Sequence, residues 1–127
     1  MAFENVRNTV PGLSARLDQS ASQFLAVVAS TVTNETIDLP SAQGQRVIGV
    51  LQNKPTAGVA ATVAVAGSTT KMRASAAILT GAFVTTASDG RAITAASTNN
   101  VLGIALHAVT AANQLVTVQL ADLGNAP

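Results

Sequence analysis

The chain of 127 residues holds one histidine, His107, six carboxylates and no cysteine. A single imidazole cannot supply a two-histidine metal site. Without thiolates there is no sulfur ligand set for zinc and no disulfide frame, so the redox compartment is not legible. Glu4, Asp18, Glu35, Asp38, Asp89 and Asp122 are spread one at a time. Two of them could meet in space for general acid–base work. However, Asp38 precedes Leu39-Pro40 and Asp89 stands in Ser88-Asp89-Gly90, where turn chemistry accounts for both. His107 lies between Leu106 and Ala108 in an apolar stretch, where a structural or solvent-facing role outweighs catalysis. Serines are numerous, but Gly-x-Ser-x-Gly, Gly-x4-Gly-Lys and Gly-x-Gly-x-x-Gly are all absent. The residues therefore point to a protein that is not an enzyme and has no cofactor and no metal.

Charge and aromatic content narrow the partners. Arg7, Arg16, Arg46, Lys54, Lys71, Arg73 and Arg91 are scattered, and only Lys71-Met72-Arg73 makes a local pair. With three Phe, no Tyr and no Trp there is little to stack on a base, so nucleic acid is not an expected partner. The longest purely apolar run, Phe24 to Ala29, is too short to span a bilayer, and the N-terminus has no apolar signal region. Charged residues make up 10% of the chain, against about 25% in ordinary soluble domains. The 48% apolar content is largely Ala and Val, which bury little area per side chain. A thin core under a weakly charged, Thr-rich surface suits a protein that gains stability by association.

The elements that would position these residues are short strands. Gln23–Thr33, Thr36–Leu39, Arg46–Gln52, Ala61–Ala66, Thr69–Ala74, Phe83–Thr86, Ala92–Ala95, Val101–Ala108 and Gln114–Ala121 are β-branched or alternating, and turn residues separate them. Asp89-Gly90 predicts a tight hairpin. Ser75–Thr80 is Ala-rich and ambiguous, and the tail from Asp122 is expected to fray. Together these predict an all-β fold, a small β-barrel or β-sandwich. Residues 1–22 differ in carrying more charge and the Pro11-Gly12 turn signal. They read as an extended N-terminal arm, with Ser14 as a possible cap of a helical turn over Ser14–Ser22. Residues 23–127 form the β-body. Within it, 46–67 and 100–121 read as two pseudo-repeats: Val47-Ile48-Gly49-Val50 matches Val101-Leu102-Gly103-Ile104, Thr56-Ala57 matches Thr110-Ala111, and Val63 and Val65 match Val116 and Val118. Gly49 and Gly103 mark bulges or close backbone approach.

The ordered motifs VIGVLQNKPTAG (from Val47), VAVAGSTTK (from Val63), GAFVTTASDGR (from Gly81) and LGIALHAVTAANQLVTVQL (from Leu102) give the chain a family likeness. It resembles the tailed-phage head decoration, or capsid cement, proteins. It departs from their pattern at Ala82-Phe83, where an acidic residue often follows the glycine. The resemblance implies a structural module on the outer surface of a phage head. Such a module is a homo-oligomer, commonly a trimer and sometimes a dimer, that bridges major capsid protein subunits and stabilises the shell. On that reading the arm makes the capsid or neighbouring-subunit contact, through Phe3 as an anchor, Val6, Arg7 toward a capsid carboxylate, Val10 and Arg16. Deletion of residues 1–17 is then expected to abolish binding and leave the body folded. The alternative is a receptor- or carbohydrate-binding module of a phage head fibre or tail. The scarcity of aromatic platforms weighs against a sugar ligand.

Overall fold

A computed structural model describes residues 2, 4–6, 9 and 12–127 of the chain. The fold is all-β, with ten strands and no helix among the described residues. The first five strands are β1 (Ser14–Ala15), β2 (Ala26–Ala29), β3 (Thr36–Asp38), β4 (Gly49–Leu51) and β5 (Val63–Ala64). The second five are β6 (Thr69–Arg73), β7 (Phe83–Thr86), β8 (Ala92–Thr94), β9 (Gly103–Ala105) and β10 (Leu115–Leu120). They form two five-stranded sheets, ordered β1-β3-β2-β4-β5 and β6-β10-β9-β7-β8. The hairpin at Asp89-Gly90 joins β7 to β8, with Gly90 in the left-handed region at φ 91°.

Each sheet curls back on its first strand. β1 runs parallel to β3, and it also faces the β4–β5 connection. There the Ala15 N–H donates to the Val59 carbonyl (3.0 Å) and the Gly58 N–H donates to the Ala15 carbonyl (2.8 Å). In the second sheet, β6 is antiparallel to β10, and the residue after it, Ala74, bridges in parallel to Ala92. Read as cycles, the orders are 1-3-2-4-5 and 6-8-7-9-10, one plan drawn twice. The registers agree as well. Val27 faces Gly49 as Val84 faces Gly103, Ala29 faces Ile37 as Thr86 faces Ala92, and Leu51 faces Val63 as Ala105 faces Val118. The duplicated unit is thus five strands long. Within it Val63 corresponds to Val118, two residues beyond the sequence match to Val116.

Backbone conformation repeats even where residue type does not. Phe24, Glu35, Thr98 and Asn113 are non-glycine residues at positive φ (67°, 57°, 70° and 68°). The pairing registers and turn hydrogen bonds place them opposite Gly81, Gly90, Gly44 and Gly58, each also at positive φ. Every unit therefore turns left-handed at the same four points, and in each pair one copy uses glycine.

Strand alternation sends one set of side chains inward in each unit. In the first unit Ala15, Val27, Ile37, Leu51, Ala61 and Val63 form a small core. Their counterparts in the second unit, Ala74, Val84, Ala92, Ala105, Val116 and Val118, belong to a larger one. The larger core also takes in Ala26, Val50 and Ala64 from the outward face of the first sheet, so the first unit lies with its outer face over the open side of the second. Gly49 and Gly103 sit at equivalent points where the next strand crosses close by. A Cβ on either would strike a backbone carbonyl, of Ala64 or Gln119, and would lie 2.8 Å from Val63 Cγ1 or Val118 Cγ1.

Two expectations change. Ser14 starts a strand rather than a helical turn, because its N–H finds the Glu35 carbonyl (3.2 Å) across the sheet. The tail does not fray, because Gly124 turns the chain at φ 72° and its carbonyl accepts the Val101 N–H at 2.7 Å. The ambiguous 75–80 stretch is a turn-rich connection that Ile78 anchors by bridging to Val109.

Candidate interaction surface

Of the five residues that the sequence singles out for contact, Phe3, Arg7 and Val10 lie outside the described residues. Val6 is half-buried against the larger core, and its neighbour Asn5 exchanges two backbone hydrogen bonds with Thr69 (2.7 and 3.0 Å) on the edge of β6. Thr9 bridges to Ala64 on β5. Arg16 directs Nε at both oxygens of Asp38 (2.9 and 2.8 Å), which clips the chain after β1 to β3. Val6 and Arg16 are thus engaged within the chain.

The groups with potential for chemistry are also tied down. The His107 Nε2 accepts the Thr117 N–H (3.1 Å), and Nδ1 lies 3.1 Å from the Ala108 carbonyl. Asn53 does the same work in the first unit, where its Oδ1 accepts the Thr62 N–H at 3.0 Å. Burial pushes the Asp89 carboxyl up, but the Arg91 backbone N–H, guanidinium and charge outweigh it and hold the group below its usual range. The Ser20 backbone N–H lowers Asp18 in the same way. Lys71 lies 3.7 Å from Glu4 and 5.1 Å from the centre of the Phe24 ring. Among the described residues no three His, Asp or Glu side chains come together.

Several large apolar side chains remain exposed. On the outer face of the second sheet, Phe83 is 47% exposed, Leu106 41% and Leu115 37%, and Ile104 beside Phe83 is half-buried. The first unit's counterparts of Phe83, Ile104 and Gln119 are Ala26, Val50 and Ala64, all at 0%. A face fully buried between units in one copy is therefore partly exposed in the other. The sequence carries a trace of it: Phe83-Val84 and Ile104-Ala105 are apolar in both strand phases, which a strand with one wet face does not need. A cleft of about 190 Å³ lies along the seam of the units, between Val47, Val50 and Ala66 on one side and Val101, Leu102 and Leu120 on the other. It is smaller than the several hundred Å³ usual for a small-molecule site.

No protein-family model and no curated protein sequence matches the chain. Among solved structures, the head fibre gp8.5 N base of bacteriophage phi29 shares its fold. The TM-score is 0.67 at 18% identity, over 91% of this chain and 94% of that one.

Proposed function

We propose that this chain is a structural protein of a tailed-phage head, a homo-oligomeric decoration protein. It binds the outer capsid surface and stabilises the shell by bridging major capsid protein subunits. The observation that carries the reading is the fold shared along nearly the whole chain with the base of a phage head fibre. It agrees with the ordered motifs from Val47 to Leu120. The lone histidine holds a strand, and Phe83, Leu106 and Leu115 are exposed on one sheet face, which also supports a contact protein over an enzyme. Many copies, each with a weak contact to two neighbours, add up to a large reinforcement over a lattice.

Co-sedimentation with heads stripped of decoration tests this. Saturable binding, together with a higher temperature of DNA release, is expected. No binding by the folded protein would overturn the reading. A second reading, a module of a head fibre, draws on the same neighbour, which is itself a fibre base. Glycan-array binding without head affinity would favour that reading instead.

A further inference from the structure

The duplicated unit has two complementary faces, and the chain uses each only once. In the internal junction the outer face of the first unit (Ala26, Val50, Ala64) covers the open side of the second. At that side Met72, Leu102 and Leu120 are consequently buried. The corresponding residues of the first unit are Leu13, Ile48 and Val65, by the registers that match Ala15 to Ala74, Val27 to Val84 and Val50 to Ile104. All three are only half-buried against the small core, in contrast to the buried Met72, Leu102 and Leu120. On the outer face of the second unit Phe83 is exposed and Ile104 beside it is half-buried. Among the described residues the chain thus presents a partly open mouth on the first unit and, on the second, the kind of face that covers such a mouth.

We infer that copies of this chain associate head to tail, with the Phe83–Ile104 face of one copy closing the Leu13–Ile48–Val65 mouth of the next. The contact repeats between chains the junction already present within each chain. It is heterologous, joining two different patches, so the assembly grows until the rotation per copy closes it into a ring. The change from Ala, Val and Ala to Phe, Ile and Gln at the three covering positions fits this use. A face built with the chain is made of small residues that pack at backbone distance. A face that must find its partner from solution gains from a large aromatic anchor. The inference specifies the oligomeric part of the function proposed above and does not depend on capsid binding. Heads bound by a monomer would sink it and leave the capsid-binding part of that function standing.

The test uses the full chain and two variants, Phe83→Asp on the face and Ile48→Asp at the mouth. By sedimentation velocity the unaltered protein is expected to form a closed oligomer larger than a dimer. Each variant alone should be a monomer, with association weakened about tenfold or more. The two mixed should form a 1:1 dimer and stop there, because one intact face meets one intact mouth. An isologous contact gives no such rescue. A monomeric unaltered protein, single variants that stay oligomeric, or a mixture that fails to pair would each overturn the inference. Cooperative melting of each variant guards against misfolding. If Ile48→Asp does not fold, Ile48→Thr replaces it with the same expected outcomes.

Discussion

The duplication is sharpest at single residues, because the backbone imposes conditions that side chains must meet. Thr98 is a β-branched residue at φ 70°, opposite Gly44 in the other unit. A left-handed conformation costs a non-glycine residue roughly 1–2 kcal/mol, partly offset by the chain entropy glycine loses on folding. Thr98→Gly should therefore stabilise the protein by about 0.5–1 kcal/mol in urea unfolding. Gly103→Ala should do the reverse, costing about 2–3 kcal/mol, since the added methyl meets the Gln119 carbonyl. His107→Asn should leave stability nearly unchanged, as Asn53 serves the same purpose in the first unit, whereas His107→Ala should cost about 1 kcal/mol. Asp89 sets a small pH effect. Its carboxyl is held below the usual 3.8, so its contribution is complete above that value and is lost as pH falls through the lower folded value. Because the pair is largely exposed, the loss is below about 1 kcal/mol and should vanish in Asp89→Asn, as acid titration of the urea midpoint would show.

At the scale of elements, much of the body was legible and its closure was not. β2, β4, β7, β9 and β10 announce themselves by β-branching and alternation, and Asp89-Gly90 by turn chemistry. β1 is only Ser14-Ala15, too short for any period, and a serine there reads naturally as a helix cap. Its strand identity comes from distant partners, Glu35 and Val59, which no local window contains. The repeat was legible where both copies keep like residues, around Gly49 and Gly103 and at Thr56-Ala57 and Thr110-Ala111. Elsewhere one copy meets a left-handed turn with glycine and the other with Phe24, Glu35, Thr98 or Asn113, so the shared backbone leaves no shared letters. The apolar outer face leaves little trace in the sequence, because Phe83 and Ile104 stand alone beside inward-facing Val84 and Ala105. The N-terminal segment is part of the first unit from Leu13 onward, with Ala15 buried in its core. Deleting residues 1–17 should therefore destabilise the first unit rather than leave the body intact. Hydrogen exchange should show lost protection at Ile37 and Leu51, and retained protection at Val116 and Val118.

For the whole molecule, stability and function draw on the same feature. Two small units share one larger core, built from Val, Ala and few bulky side chains, and each end of the pair leaves apolar surface unburied. At about 25 cal/mol per Å² such a body gains from every neighbour it acquires, whether another copy or a capsid subunit. Low charge would suit it to the capsid lattice proposed above, in which one protein meets many identical surfaces. The most direct measurement is cryo-electron microscopy of decoration-free heads incubated with the protein. Added density is expected on the outer shell at regular lattice positions, fitted by this two-unit fold and touching at least two major capsid subunits. Heads that remain bare, or density confined to the tail, would contradict it.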